Sequence, residues 1–233
     1  MDRRMFDNSD SIALFNPLNC QEVTVIGAGG IGCPASTALG QMGVPHIRLY
    51  DDDVLEAHNG PGEPFYSPDY IGKPKVEAAM GTFKFFGREK ALTTYRERVT
   101  AETELGGGII IAGPDSMASR KEIWKAVRRN YDKDGLIDLF VDFRSSGTSL
   151  MVFTIDMANA DEVDRYERDW LYSDDEASQE PCGARNVTYM GYMVGYFASH
   201  IVACHTNGKL RDVFPNPVIQ IYLNPYLENP LVE

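Results

Sequence analysis

The chain has little cysteine and never places it in pairs. Cys20, Cys33, Cys182 and Cys204 are its four, with no CxxC among them, which argues against a tetrahedral zinc clip and against a disulfide-stapled scaffold. Positive charge is also scarce: 22 Lys and Arg stand against 34 Asp and Glu, a formal net charge of -12. Nucleic acid and anionic membranes are bound by basic patches, so neither is expected as a main partner, although a basic protein would not be repelled. No N-terminal stretch combines basic residues, an apolar run and a small-residue cleavage site, so no export signal is expected and the cytoplasm is the expected compartment. Long hydrophobic runs are nearly absent as well. The exception, Asn186 to Gly208, carries no charged Lys, Arg, Asp or Glu but holds Asn186, Thr188, Ser199, His200 and His205, which hydrocarbon penalises. Its apolar residues Met190, Met193, Val194, Phe197, Ile201 and Cys204 recur at helical spacing, which predicts a core helix and no membrane span.

What is present is an alternation of short apolar strands and amphipathic helices. Val23–Ile26, Ile47–Tyr50, Leu92–Val99, Gly108–Ala112 and Leu136–Asp142 read as strands. Ile31–Met42, Lys75–Phe86 and Met117–Asn130 read as helices, and residues 52–72 form a polar loop rich in glycine and proline. Alternation of this kind predicts an α/β Rossmann-like fold, a mainly parallel sheet with helices on both faces. Thr148–Ile155, entered through a Ser-Ser-Gly turn, reads as a hairpin strand, and Val218–Leu223 as a last strand. Antiparallel strands therefore extend the sheet into a mixed one. We expect an N-terminal arm over residues 1–20 and one domain over 21–233, with a mobile acidic loop at about 173–182.

Gly27-Ala28-Gly29-Gly30-Ile31-Gly32 matches G-x-G-x-x-G between a strand and a helix. The glycines permit a tight turn and close backbone approach, and the helix N-terminus offers free N–H groups to phosphate. Asp51 ends the second strand, where a carboxylate accepts hydrogen bonds from ribose hydroxyls. Both features serve NAD and ATP alike. The residues that follow are harder to assign to a dehydrogenase: Asp53, Glu56 and Asn59, then Lys73 and Lys75 at a helix start. An enzyme that handles a triphosphate needs a mobile cation near the phosphates, although lysines at a helix start can also be a solvated face.

Taken in order and at their spacing, "GAGGIGCPASTALGQMGVPHIRLYDDDVLEAHN", "IGKPK" and "IIIAGPDSMASR" resemble the ThiF/MoeB/HesA adenylyltransferases, relatives of ubiquitin-activating enzymes. The resemblance runs from about Val23 to Val202. It implies an enzyme that uses ATP and magnesium to adenylate the C-terminal carboxylate of a ubiquitin-like or sulfur-carrier protein, and that works as a homodimer. It also implies that Gly27, Gly29, Gly30 and Gly32 cradle the nucleotide, that Asp51 holds the ribose with Asp53 beside it, and that Asn59 contacts the phosphates. Lys75 would then steady the α-phosphate, and Asp115 would organise magnesium. On its chemistry alone Asp115 is either such a ligand or an N-cap for the helix at Met117. Arg120 either orients phosphate or pairs with an acidic neighbour.

Two features depart from the family pattern. An arginine usually follows the loop asparagine, but this chain reads Asn59-Gly60-Pro61-Gly62-Glu63. Arg3 or Arg4 from a dimer partner is one replacement, and a solvated N-terminus is the other reading of that pair. The paired CxxC motifs of many members are also missing. Cys182, between the acidic loop and the late helix, matches the position that takes the acyl group in some members. A helix N-terminus and nearby Arg185 would lower its pKa, although one cysteine among four can be a bystander. Cys33 and Cys204 read as core. His58, beside Asn59, either touches nucleotide or stands by. Two other readings remain: an NAD-dependent oxidoreductase, which leaves Asn59, Lys75 and Asp115 without a task, and a catalytically weak scaffold subunit, which the missing arginine would suit.

Overall fold

A computed structural model describes residues 14–60, 63, 65, 67–146, 149–172 and 188–222. Cys182, Arg185, Arg3, Arg4 and all of the expected mobile loop at 173–182 lie outside these residues. Seven strands form one sheet: β1 (Val23–Ile26), β2 (Ile47–Tyr50), β3 (Leu92–Tyr95), β4 (Ile109–Ala112), β5 (Leu139–Ser145), β6 (Ser149–Asp156) and β7 (Val218–Tyr222). The order is β3-β2-β1-β4-β5-β6-β7. The first five are parallel and the last two pair antiparallel, β6 on β5 and β7 on β6. This is the mixed Rossmann-like sheet that the pattern predicts.

The parallel strands read as near-continuous apolar runs because both faces are covered. Val23, Val25, Leu49, Ile109, Ile111, Leu139 and Val141 face a core completed by α1 (Gly32–Met42), α2 (Lys75–Phe85) and the late helix α5 (Thr188–Thr206). Ile26, Ile110, Phe140 and Phe153 face a second core closed by α3 (Met117–Asp134) and α4 (Ala160–Trp170). Met190, Val194, Phe197, Ile201 and Cys204 of α5 are buried, as their spacing predicts, and so is Cys33 of α1. Gly195 lets α5 approach α1 closely: a Cβ there would lie 3.2 Å from the Pro34 carbonyl oxygen and 3.3 Å from Ala38 Cβ. Among the described residues no helix is long and apolar enough to cross a membrane.

Several boundaries differ from the sequence reading, most by one residue and three segments by more. Strand β3 stops at Tyr95, four residues before Val99, once its parallel pairing to β2 ends. Helix α3 runs on to Asp134, where Gly135 caps it in the left-handed conformation at φ 65°. Strand β5 starts at Leu139; Leu136, read as its first residue, is exposed. Helix α4 was not predicted at all. A short helix, α6 (Leu210–Val213), precedes β7.

Candidate nucleotide site

The parallel strands end on one edge of the sheet, and the turns that leave them line a cleft of about 870 Å³. That is enough room for a nucleotide and a segment of a second substrate. From one side to the other, the cleft meets the turns after β3, β2, β1, β4 and β5, the order imposed by the sheet.

The glycine turn forms its centre. Gly27 sits at φ 94°, a conformation a side chain resists. Gly32 opens α1, where a Cβ would come within 1.8 Å of the Gly27 carbonyl oxygen, so this glycine lets helix and strand close on one another. Gly27, Gly29 and Gly30 line the cleft; Gly32 does not. No side chain caps α1. Cys33 N–H already donates to the Gly29 carbonyl at 2.9 Å and Pro34 carries no N–H, so at the start of the helix Gly32 N–H is the group left to an anion.

Asp51 is tied down by the backbone. One carboxylate oxygen accepts from Ala28 N–H at 2.6 Å and the other from Asp53 N–H at 2.8 Å. Burial raises its pKa above the usual carboxylate range, and these two N–H donors offset only part of that. The 52–72 loop is held together by its own contacts. Asn59 is buried, and its Oδ1 accepts from Glu56 N–H at 2.8 Å, which leaves its amide NH₂ to donate. His58, with an exposed side chain, pairs with Glu56 at 3.1 Å.

Lys75 begins α2, is 8% exposed, and donates its backbone N–H to the Asp53 carbonyl. Its Nζ lies 3.1 Å from Glu63 Oε1 and 4.0 Å from Asp53 Oδ2. Burial alone would depress this ammonium; Glu63 first, and then Asp51 and Asp53, outweigh burial and raise its pKa. Glu63 moves the same way for a different reason: burial raises its pKa against the pull of Lys75. Its second oxygen is buried without a hydrogen-bond partner among the described residues. The stretch that lacks the family arginine thus places a buried carboxylate against Lys75, a partner missed from sequence. Its signal was present, an acid in a loop of glycine and proline twelve residues before a lysine.

Asp115 follows β4, is exposed and lines the cleft. The capping alternative falls to its neighbour: Ser116 is the N-cap of α3, its hydroxyl accepting from Ser119 N–H at 3.2 Å. A magnesium ion held mainly by water and substrate phosphates needs only one or two protein carboxylates, so an exposed Asp115 at the cleft suits it. No group of three or more acidic, histidine or cysteine side chains among the described residues could hold a metal unaided.

Arg120 does pair with an acid, although not one close in sequence. Its Nε donates to both oxygens of Asp142 on β5, at 2.9 and 3.0 Å, and an Nη donates to the Pro114 carbonyl at 3.0 Å. It is 4% exposed and still lines the cleft. Nine of the eleven predicted site residues therefore meet at one cleft; Gly32 lies just behind it, and Cys182 lies outside the described residues.

Comparison with known proteins gives the family. The ThiF family model matches residues 12–206. Over 102 residues, 42% of this chain and 38% of that protein, the chain is 29% identical to the SAMP-activating enzyme E1 of Haloferax volcanii. Over 106 residues, 44% of this chain and 42% of that protein, it is 28% identical to the sulfur carrier protein ThiS adenylyltransferase of Escherichia coli. The matched region is less than half the length of either relative. Among solved structures, the E. coli tRNA N6-threonylcarbamoyladenosine dehydratase TcdA in complex with AMP covers 90% of this chain and 94% of its own, with a TM-score of 0.63 and 18% identity, a likeness of fold. Because the family match runs through more than half the chain and through the strand ends from β1 to β5, the chain belongs to the ThiF family.

Proposed function

We propose that the chain is an ATP- and magnesium-dependent adenylyltransferase acting on the C-terminal carboxylate of a ubiquitin-like or sulfur-carrier protein. The observation that carries the reading is the convergence of the glycine turn, Asp51, Asn59, Lys75 and Asp115 on one cleft. NAD would use the first two and leave the other three idle.

In the proposed reaction a carboxylate oxygen attacks the α-phosphorus, the bond to the β-phosphate oxygen breaks, and pyrophosphate leaves. Magnesium, with Asp115 among its ligands, would supply charge neutralisation on the phosphates. The chain's part is positioning and electrostatics. The α1 N-terminus and glycine N–H groups receive phosphate oxygens, and Asp51 fixes the ribose. Lys75 moves its ammonium from Glu63 to the α-phosphate as negative charge develops there. A following step would take the acyl group to Cys182, its thiolate attacking the acyl carbon and AMP leaving. A homodimer is part of the proposal, with Arg3 or Arg4 from the partner copy offsetting the missing loop arginine.

The test is exchange of labelled pyrophosphate into ATP with candidate carriers, each supplied with a free and with an amidated C-terminus. Exchange only with the free carboxylate is the expected result. Binding of ATP with no exchange for any carrier would instead identify a nucleotide-binding scaffold. Replacement of Cys182 by serine should leave exchange intact and abolish any thioester.

A further inference from the structure

Carboxylates outnumber cations along the cleft as a whole, with Asp51, Asp52, Asp53, Glu63, Glu97 and Asp115 in its lining, but on the β5 side the pairing is uneven. Lys75 has Glu63, and Arg98 has Asp52 at 3.3 Å. Arg120 and Arg144 share a single carboxylate, Asp142, which is fully buried and also accepts from Tyr166 Oη at 2.9 Å. No other carboxylate among the described residues lies within ion-pair reach of either guanidinium. Two positive charges thus face one negative charge at the floor of the cleft, and Tyr166 adds none. A surplus charge in such a place is costly until an anion meets it.

Arg144 has an unpartnered donor. Its Nε donates to Asp142 at 2.8 Å and one Nη to the Trp170 carbonyl at 2.9 Å. The other, Nη1, is buried without a hydrogen-bond partner among the described residues. The side chain is 13% exposed and lines the cleft. The Phe153 ring, 4.5 Å from the guanidinium, fixes its plane. Strand β5 is separated from the glycine turn by β4, roughly 10 Å at ordinary strand spacing, and the turn bearing Asp115 lies between. Around Arg144 the lining is Phe143, Ser145, Ser149, Met151 and Tyr172, apolar and hydroxyl-bearing walls that suit a peptide better than a triphosphate.

We propose that Arg144, oriented by Asp142, binds the carboxylate to be adenylated and so places the acyl substrate at the β5–β6 side of the cleft. This rests on the adenylation reading above and names the substrate's end of the same site. One surplus charge matches a monoanion, whereas a triphosphate carries several charges and has the glycine turn and Lys75. The donor unpartnered among the described residues, Nη1, is covered in this structure, so a small shift of the side chain lets it hold one carboxylate oxygen and leave the other to attack.

Thermal melting of the full chain tests the assignment with N-acetylglycine as probe, and with N-acetylglycinamide and inorganic phosphate as controls, each with and without AMP. The carboxylate should raise the wild-type melting temperature and the amide should not. Arg144→Met should abolish the carboxylate shift, and Arg144→Lys should weaken binding by at least about tenfold, while both keep the AMP shift. Survival of the carboxylate shift in Arg144→Met would overturn the proposal. So would a shift given through Arg144 by phosphate alone, which would assign the residue to the nucleotide. Failure of AMP to bind the wild type would count against the adenylation reading, while the arms without AMP still decide Arg144. Should Arg144→Met not fold, phenylglyoxal labelling of Arg144 in the wild type, mapped by mass spectrometry, replaces it. N-acetylglycine must protect and its amide must not; equal labelling with both would overturn the proposal.

Discussion

Two glycines three positions apart in the first turn should fail in opposite ways when replaced by alanine. At Gly32 the new methyl would lie 1.8 Å from the Gly27 carbonyl oxygen and 3.2 Å from Val25 Cγ1. Relief demands that α1 move by roughly 1.5 Å to restore ordinary contact, and a forced backbone shift costs about 1–3 kcal/mol or more. At Gly29 the methyl meets only Glu63 Oε1 at 3.8 Å and Lys75 Nζ at 3.9 Å, ordinary contacts, so stability should change by less than about 0.5 kcal/mol. That methyl points at the pair where phosphate has to approach, however. A displacement of about 1 Å there can cost on the order of a hundredfold. At ATP one hundred times its wild-type dissociation constant, binding stabilises the fold by about 2.7 kcal/mol, and a hundredfold weaker variant by about 0.4 kcal/mol. For a chain of this size that corresponds to a wild-type melting shift of roughly 5–11 °C against about 1 °C for the variant. Scanning calorimetry with and without Mg-ATP reads both quantities. Gly29→Ala with a full ATP shift would refute the reasoning, as would Gly29→Ala melting as low as Gly32→Ala.

Other outcomes follow from the same contacts. Asp142→Asn leaves two buried guanidinium ions without their carboxylate and should cost roughly 3–5 kcal/mol in urea unfolding; a loss under about 1 kcal/mol would contradict the shared-acid description. Asp115→Ala, at an exposed position, should melt within about 0.5 kcal/mol of wild type yet lose the magnesium-dependent part of ATP binding, measured by titration with and without the metal. Glu63 carries a pKa raised by burial, so the folded state holds its proton more tightly than the unfolded chain. Its favourable contribution is complete below the ordinary glutamate range and is lost as pH rises through the raised value. Glu63→Gln should therefore gain stability relative to wild type as pH rises through that window, and parallel curves in denaturant unfolding would reject the assignment.

Much of the fold is legible in the sequence because the strands are short apolar runs beginning or ending at polar breaks. Val23–Ile26 and Ile47–Tyr50 fall where the pattern places them. Helix α4 was legible but went unread: in "ADEVDRYERDW" Val163, Tyr166 and Trp170 stand at i, i+3 and i+7 and pack on the second core, and Asn159 caps the helix by accepting from Glu162 N–H. The nucleotide end of the cleft could be read from linear motifs, since each strand end carries its own group. The Asp142–Arg144 pair could not, because its role comes from partners 22 and 24 residues away from Asp142 in sequence. An Asp-x-Arg on a strand puts both side chains on one face, but only the sheet order brings that face to the cleft beside Arg120.

The central claim is that this cleft takes a magnesium-bound triphosphate and not a nicotinamide dinucleotide. Calorimetric titration of the wild type and of Lys75→Ala with Mg-ATP, and of the wild type with NAD, tests it most directly. The account predicts binding of Mg-ATP that weakens by at least about tenfold without the Lys75 ammonium, and no heat from NAD. NAD binding in place of ATP, or a Lys75→Ala isotherm that overlays the wild type, would contradict it.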